Sequence, residues 1–367
     1  MRKFWQRILL KPVLKLTNRF SSNPDRERVF AALSGLLSCI LENEKDKGLV
    51  IPFDADKGKF IIFSDMHKGC RNGADDFAIC EQAYLQALDY YYQNGFHFIA
   101  LGDSEELWEN TLSAVKREQK PSFEKEKAFV HNNAFIKIFG NHDLYWDNDP
   151  LAPFSLKEIY DTELPIHEGV VLQTTLNGKV VNIFCTHGHQ GDAVSDGNWF
   201  SKFFISKIWA PLQAYLKINP NTPAYDAQLK TLHNLLMYEW SAQQKDLFLI
   251  TGHTHQPVFE SLTHIERLYR QVLFARKQKD ASMEATLLQE IALRKFTATS
   301  ISEEYLKLKP TYFNSGCCCN SDGDITGIEV SEGVLRLIEW RIKEGKIERL
   351  ILEETPLLEL LEAITIK

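Results

Sequence analysis

The stretch KFIIFSDMH, residues 59–67, joins a short apolar run to Asp65 and His67. The same order, an apolar run followed at once by polar residues, recurs later in the chain, with apolar runs at 97–101, 135–139, 180–184 and 247–250. Runs of this length and composition are typical of strands buried on both faces of a sheet. We therefore expect a sheet whose strands carry polar side chains at their carboxyl ends.

Helical patterns separate several of these runs. Residues 75–93 place apolar side chains at helical spacing and are followed by Asn94-Gly95, a common helix stop. This pattern indicates a helix that crosses from the first strand to the second. Further helical patterns cover residues 105–113, 122–132 and 155–160.

Additional strand patterns complete the picture. A strand at 170–176 turns at Asn177-Gly178 into the fourth apolar run. Three strand-like pieces follow residue 311, at 325–330, 334–342 and 347–352. The sequence therefore predicts an α/β fold with meander-like β additions.

The chain has 367 residues, enough for one large domain with a well-buried core. We expect a basic N-terminal helical arm and helix over residues 1–48, a main domain over 49–355, and a C-terminal tail over 356–367. Helical insertions are expected at about 197–245 and 262–308. Both insertions lie between or beside the strands that carry polar clusters, so they either form a lid near the site or only thicken the scaffold.

The charges are unevenly distributed. The chain has 42 Lys and Arg against 49 Asp and Glu, a formal net charge of −7, although residues 1–20 contain six basic residues and no acidic one. The body is therefore acidic and lacks the basic footprint of a nucleic-acid-binding protein, so a nucleic-acid partner is not expected.

Residues 1–20 also contain apolar side chains between their basic ones. An amphipathic helix of this kind either lies on an anionic membrane surface or packs on the body of the protein. The longest uncharged apolar run, 29–41, is too short to cross a bilayer. We therefore expect a cytoplasmic protein and keep peripheral membrane contact through residues 1–20 as an open alternative.

The seven cysteines show no spaced framework, which favours a reduced, cytosolic chain. Three of them, Cys317, Cys318 and Cys319, are consecutive. We expect these three to pack as small apolar side chains. The alternative is that they place thiols near a metal.

The polar residues after the five apolar runs form a distinctive set: Asp65-x-His67, Gly102-Asp103, Gly140-Asn-His-Asp143, His187-Gly-His189 and Gly252-His-x-His255. Ligands of open α/β sheets bind outside the carboxyl ends of the strands. Imidazole, carboxylate and amide oxygen together suit divalent ions such as Mn, Fe or Zn. One such histidine would be unremarkable, but five clusters in the same context predict a metal centre.

In their order and residue identities, these blocks resemble the signature of the calcineurin-like metallophosphoesterases over about residues 60–316. The resemblance implies a four-layer αββα sandwich that holds two divalent metal ions (Mn, Fe or Zn), with Mn the ion expected to work in vitro. Its motifs assign Asp65, His67 and His255 to the first metal. They assign Asn141, His187 and His253 to the second metal, with Asp103 bridging the two.

The resemblance also implies a reaction. Two such ions would activate a water molecule for attack on a phosphomonoester or phosphodiester. His142 would act as general acid or transition-state stabiliser, and Glu106 would orient it. His189 and Asp192 would contact substrate or support the ligands, and a purely structural role stays open for both.

The substrate is less sharply defined. Arginines that clamp phosphate in the phosphoprotein phosphatases are replaced here by Leu107, Trp108 and Phe139, which weighs against a protein phosphatase. The block Leu101–Trp108 resembles the Gly-Asp-x-x-Glu-x-Trp block of the UDP-2,3-diacylglucosamine hydrolases. Those enzymes cleave a pyrophosphate in lipid A synthesis, are shorter, and usually have Arg where this chain has His142.

We therefore expect a phosphoesterase acting on a small-molecule phosphoester or nucleotide-linked substrate. The alternative is a UDP-2,3-diacylglucosamine-type pyrophosphate hydrolase at the membrane surface. A nuclease is disfavoured by the acidic body. A non-catalytic scaffold is disfavoured because all seven expected ligand positions are filled.

Overall fold

The computed structural model describes residues 24–43, 47–73, 75–191, 227–293 and 308–365. Two seven-stranded sheets form its centre. The strands are β1 Gly48–Pro52, β2 Lys59–Phe63, β3 His97–Leu101, β4 Phe135–Ile138, β5 Ile166–His167, β6 Gly169–Leu176, β7 Lys179–Thr186, β8 Leu247–Thr251, β9 Val258–Phe259, β10 Leu262–Thr263, β11 Tyr312–Asn314, β12 Ile325–Ser331, β13 Val334–Lys343 and β14 Lys346–Pro356.

Helices cover the outer faces of the sheets. They are α1 Arg26–Leu41, α2 Glu81–Gln93, α3 Leu112–Glu118, α4 Lys120–His131, α5 Tyr145–Asn148, α6 Ala152–Tyr160, α7 Ala227–Ser241, α8 His264–Gln278, α9 Ala281–Leu293 and α10 Leu357–Thr365, with a 3-10 turn at Asp76–Ile79 before α2.

The first sheet has the strand order β14-β13-β12-β2-β3-β4-β5. Strands β2 to β5 pair in parallel, whereas β12, β13 and β14 form an antiparallel meander along the other edge of β2. The second sheet has the order β1-β6-β7-β8-β11-β9-β10, and its β7, β8 and β11 are parallel neighbours. Parallel neighbours align their carboxyl ends, so each sheet presents several strand ends on one side.

Side chains along each central strand alternate between two cores. In β2, Phe60 and Ile62 face the second sheet and pack with residues such as Ile183 of β7. Ile61 and Phe63 face outward and pack with the helices α2, α4 and α6. On the far face of the second sheet, a third core joins its outward side chains to α1 and α7. The predicted α/β fold, a four-layer αββα sandwich, is confirmed.

Most elements lie close to the ranges expected from the sequence, but the helix expected at 105–113 is wrong. Residues 102–110 form no α-helix, and α3 begins only at Leu112, where the Thr111 side chain accepts a hydrogen bond from the Ala114 N–H. Glu105 instead forms a β-bridge with Lys68, and its side chain is fully buried. Tertiary contacts of Glu105 and Glu106 therefore override the local helical tendency.

The domain boundaries stay a prediction. Residues 1–20, the basic arm, lie outside the described residues. The described parts of the two insertions contain α7, α8 and α9. Residues 357–365, expected as a tail, form α10, and Leu357, Leu360 and Leu361 pack into the core between the sheets. Within the described ranges, no helix is both long enough and apolar enough to cross a membrane.

Candidate metal centre

The loops after β2, β3, β4, β7 and β8 bring the predicted donor residues together. One donor atom each from His67, Asp103 and His142 lies within 4.8 Å of the others. The same holds for Asp103, His187 and His253. The two groups share Asp103, so these side chains form one continuous cluster.

The backbone at this cluster is unusual. Positive φ angles between 49° and 69° occur at five of the seven predicted ligands, Asp65, His67, Asp103, His253 and His255. Such left-handed conformations are uncommon for residues other than glycine, and each one carries a conformational cost that the surrounding structure must offset. Hydrogen bonds between the loops offset part of it, as when the His67 N–H donates to the Asp103 carbonyl (2.9 Å) and the Asp65 N–H to the Gly102 carbonyl (3.1 Å).

Two glycines allow the loops to approach one another. A Cβ atom at Gly140 would overlap the Asp103 carboxylate. At Gly252 it would overlap Ser64 and lie 2.5 Å from the Asp65 carboxylate. Both positions therefore require glycine for close approach rather than for turn geometry.

The first predicted centre comprises Asp65, His67 and His255. Nε2 of His255 lies 3.1 Å from Oδ1 of Asp65 and 3.1 Å from Nε2 of His67. The other oxygen of Asp65, Oδ2, accepts hydrogen bonds from the Ser64 hydroxyl and the His253 N–H. This leaves Oδ1 facing the two imidazoles.

The second predicted centre comprises Asn141, His187 and His253. Nε2 of His187 lies 3.3 Å from the Asn141 side-chain oxygen. The opposite ring nitrogen, Nδ1, is 2.9 Å from the Leu101 carbonyl, which fixes the ring and directs Nε2 into the centre.

Asp103 lies between the two centres. Its Oδ2 is 3.1 Å from His187 Nε2 and 3.8 Å from His67 Nε2. Its Oδ1 accepts a hydrogen bond from the His142 N–H at 2.8 Å. One oxygen is thus held by the backbone while the other faces both sets of imidazoles.

The donor set fits divalent cations. Nε2 of His253 is buried and has no hydrogen-bond partner among the described residues, and the buried Oδ1 of Asp65 meets only the imidazole nitrogens of His255 and His67, at 3.1 and 3.8 Å. A buried polar atom without a partner is costly. Convergent imidazole, carboxylate and amide donors are the ligands that Mn, Fe and Zn accept, so bound ions would satisfy both atoms.

The pKa values also reflect a strongly polarised cluster. Burial alone would lower the pKa of His187, but Asp103 and Asp65 raise it to about 9. His255 follows the same pattern beside Asp65, and its pKa is also raised to about 9. In contrast, burial and the neighbouring His233 and His187 hold the pKa of His253 well below its usual range.

His142 lies beside the cluster and is held from two sides. Its Nδ1 is 2.7 Å from Oε2 of Glu106, and the Trp108 ring is stacked on the imidazole with 4.0 Å between ring centroids and 18° between the planes. Glu106 Oε2 also lies 3.0 Å from Nδ1 of His67. One carboxylate therefore connects a predicted metal ligand to the predicted general acid. The sequence motif indicated the Glu106 to His142 contact but not the one to His67.

The remaining predicted site residues differ in placement. His189 is buried near His187, with 5.4 Å between ring centroids, and its Nδ1 has no hydrogen-bond partner among the described residues. Burial and the neighbouring His187 lower the pKa of His189 to about 3, so its imidazole is neutral. Asp192 lies outside the described residues.

Sequence reasoning gave no role to Asp143. Its Oδ1 accepts hydrogen bonds from the Gly140 and Asp103 N–H groups, and its Oδ2 accepts one from the Ser104 N–H. Asp143 therefore ties the loop after β4 to the loop after β3. Its position at the end of the Gly140–Asp143 block was the available signal.

A buried charge cluster beneath the loops was also missed. Lys68 Nζ lies 2.5 Å from a Glu126 oxygen and 3.0 Å from a Glu105 oxygen, and Lys137 Nζ is 2.9 Å from the other Glu105 oxygen. These four side chains, here called the buried charge cluster, are almost fully shielded from solvent. The Trp146 indole N–H donates to Glu105 as well. A single lysine inside a strand, Lys137, and another in the loop after β2, Lys68, gave no indication of this pairing.

The three consecutive cysteines are placed differently from one another. Cys318 is buried in the core beneath α2, as expected for a small apolar side chain. Cys319 is only half-buried, and its Sγ is 3.6 Å from Nδ1 of His255. The alternative of a thiol near the metal centre therefore describes Cys319 better.

Comparison with known protein families identifies the class. The family model for calcineurin-like phosphoesterases matches residues 58–257, a span that includes all seven predicted ligands. The chain belongs to the calcineurin-like phosphoesterase family and is thereby a metal-dependent phosphoesterase. No curated protein matches the chain significantly.

Solved structures with a similar arrangement are remote. Vacuolar protein sorting 29 from Cryptosporidium parvum aligns at 10% identity and a TM-score of 0.32, covering 82% of this chain and 98% of that one. A mutant of a cold-active protein tyrosine phosphatase aligns at 11% identity and a TM-score of 0.35, covering 83% and 82%. TM-scores below 0.5 are too low to support a conclusion about fold or function.

Proposed function

We propose that this protein is a dinuclear metal-dependent hydrolase of small-molecule phosphomonoesters or phosphodiesters. The observation that supports the proposal is the position of Asp103, whose Oδ2 lies 3.1 Å from Nε2 of His187 and 3.8 Å from Nε2 of His67, with His142 held close by through Glu106. The first ion would be held by Asp65, His67 and His255, and the second by Asn141, His187 and His253. Asp103 would contact both ions.

The metal ligands and the residues around His142 would have separate roles. When bound, two divalent ions supply charge stabilisation for the phosphoryl oxygens and a water nucleophile at neutral pH. Glu106 contacts Nδ1 of His142, so Nε2 is the ring atom left to donate a proton to the leaving oxygen. Trp108 and Glu106 together restrict the imidazole to one orientation, which positions the proton donor.

A small-molecule or nucleotide-linked phosphoester suits this chain because it lacks the arginines that clamp phosphate in the phosphoprotein phosphatases. Leu107, Trp108 and Phe139 stand at those positions. The pyrophosphate alternative depends on the Leu101–Trp108 block, and its membrane contact depends on residues outside the described ranges. Cytoplasmic location and contact of residues 1–20 with membranes stay predictions.

A substrate panel tests the function. The Mn-supplemented protein is assayed against phosphomonoesters, aryl phosphodiesters, cyclic nucleotides, nucleotide sugars and UDP-2,3-diacylglucosamine. We expect hydrolysis of at least one mono- or diester and its loss in the Asp103→Asn and His142→Ala variants, by about 100-fold or more for His142→Ala on substrates with poor leaving groups.

Matched controls are available on the surface. Asp89 pairs with Lys125 at an exposed site, and His97 is exposed at the start of β3. Asp89→Asn and His97→Ala should keep wild-type rates. Retained rates in both the Asp103→Asn and His142→Ala variants would show that the proposed site is not the active site.

A further inference from the structure

We propose that His233 is a positioning residue for the second predicted metal position, where it fixes His187 and His253 relative to each other. The inference rests on the dinuclear function proposed above and concerns a residue outside the family's motif blocks. His233 lies on α7, in the insertion between β7 and β8 that the sequence left open as a lid or a scaffold. It gives α7 a part in the site.

The first support is a short hydrogen bond. Nε2 of His233 lies 2.6 Å from the carbonyl oxygen of Gly188, and the His233 side chain is buried. A carbonyl only accepts hydrogen bonds, so Nε2 of His233 carries a proton and donates it. Gly188 directly follows the predicted ligand His187, and its φ of 105° is a conformation that favours glycine. The bond therefore holds the backbone at the point where it turns away from His187.

The second support is a contact with the other ligand-bearing loop. The His233 ring lies against the His253 ring, with 5.0 Å between ring centroids and 61° between the planes. The His253 ring in turn lies 5.2 Å from the His187 ring. Removal of the His233 imidazole would leave a cavity beside His253 and take a donor from the buried Gly188 carbonyl. One side chain therefore restrains the loops after β7 and β8 together.

The next residue on α7 strengthens this attachment. Oδ1 of Asn234 accepts hydrogen bonds from the Thr254 hydroxyl at 3.2 Å and from the Tyr312 hydroxyl at 2.8 Å. Thr254 directly follows the predicted ligand His253. The helix is thus joined to the loop after β8 through both His233 and Asn234, and to the loop after β7 through His233.

These contacts let His233 act through other residues rather than as a ligand. Its Nε2 is occupied by the Gly188 carbonyl, and its ring supports His253 from the side. Loss of groups that orient metal ligands typically costs about 10- to 100-fold in metal affinity. We therefore expect loss of His233 to weaken the second ion and to spare the first.

Stepwise titration of the full chain with Mn²⁺ tests this role, with the free ion followed by electron paramagnetic resonance. The binding step that His187→Ala removes defines the second position. His233→Ala should weaken that step by about tenfold and leave the other step unchanged. His233→Gln should recover most of the affinity, because Nε2 of a glutamine can donate to the same carbonyl. Equal weakening of both steps in His233→Ala, or a glutamine variant as weak as the alanine one, would contradict the proposal.

A matched control and a wild-type measurement complete the test. Nε2 of His131, at the end of α4, makes the same kind of contact with the Tyr160 carbonyl at 3.1 Å, before the start of β4 rather than after a strand end. His131→Ala should leave both binding steps unchanged. In the wild type, the ¹⁵N shifts of the His233 ring should show a proton on Nε2. A ring protonated on Nδ1 alone would overturn the proposal even if no variant folds.

The outcomes separate this inference from the proposed function. Unchanged Mn²⁺ binding in His233→Ala, in a protein whose hydrolysis is lost in Asp103→Asn, would overturn the role of His233 and leave the phosphoesterase intact. Selective weakening of the second ion in a protein that hydrolyses no phosphoester would overturn the proposed function and leave the role of His233 intact.

Discussion

At the scale of single residues, the site depends on carboxylates whose two oxygens have different tasks. Oδ2 of Asp65 accepts hydrogen bonds from the Ser64 hydroxyl and the His253 N–H, whereas Oδ1 faces the predicted first centre. Oδ1 of Asp103 accepts a hydrogen bond from the His142 N–H, and Oδ2 faces both predicted centres. The sequence predicted a metal site because polar residues follow the strand ends, and the family motif predicted its ligands. It could not show which carboxylate oxygen accepts hydrogen bonds and which one faces the site, since most of the hydrogen-bond donors lie far away in the chain.

The stacking of Trp108 on His142 gives a residue-scale prediction. Trp108→Leu removes the aromatic face that restricts the imidazole, and such aromatic contacts are worth about 1 kcal/mol. We expect hydrolysis of alkyl phosphate esters to fall by roughly fivefold, because a poor leaving group needs the proton donor. Hydrolysis of p-nitrophenyl esters, whose leaving group needs no proton, should change little, and Trp108→Phe should recover most of the alkyl rate. An equal loss on both kinds of ester would contradict a positioning role.

A second residue-scale prediction concerns pH. In the metal-free protein the pKa values of His187 and His255 are raised to about 9, so both imidazoles are protonated at pH 7.5. A metal ion binds only the deprotonated imidazole. The affinity of the protein for Mn²⁺ should therefore rise as pH increases towards 9 and fall as pH decreases. Calorimetry in buffers of different ionisation enthalpy should record proton release on Mn²⁺ binding at pH 7.5. Binding with no proton release and no pH dependence would contradict the assignment.

At the scale of elements, the loops after β2, β3 and β4 are held from below by the buried charge cluster. Lys68 follows the predicted ligand His67, Glu105 lies two residues after Asp103, and Lys137 lies on β4 before Asn141. The strands were predictable because their apolar runs are short and distinct. The loop at 102–110 was not, because its conformation depends on ion pairs between separate elements.

The cluster gives an element-scale prediction. Lys137→Met leaves the fully buried Glu105 carboxylate with one cation fewer, and breaking a buried ion pair costs about 3 kcal/mol or more. Chemical denaturation should show that loss in the free energy of unfolding. Lys125→Met, which removes the largely exposed pair with Asp89, should cost less than about 1 kcal/mol. Similar losses in the two variants would mean that the cluster does not stabilise the loops.

At the scale of the whole molecule, the two parallel regions of the sheets bring distant parts of the chain to one site. The αββα class followed from the strand and helix patterns together with the family resemblance. Those patterns could not predict the order of the strands or the packing of α10 between the sheets. Both depend on contacts between residues far apart in sequence. The formal charge of −7 describes the chain without metal. Two divalent ions at the site would make the pocket attractive to an anionic phosphoester despite the acidic body.

The most direct test of a shared dinuclear centre is the number of Mn²⁺ ions bound per chain, measured by equilibrium dialysis with elemental analysis in the wild type and in Asp103→Asn. The wild type should bind two ions. The variant should keep its fold, as judged by circular dichroism, but should bind both ions weakly and lose hydrolysis, because Oδ2 of Asp103 faces both centres. Binding of two ions by Asp103→Asn with wild-type affinity would contradict the account.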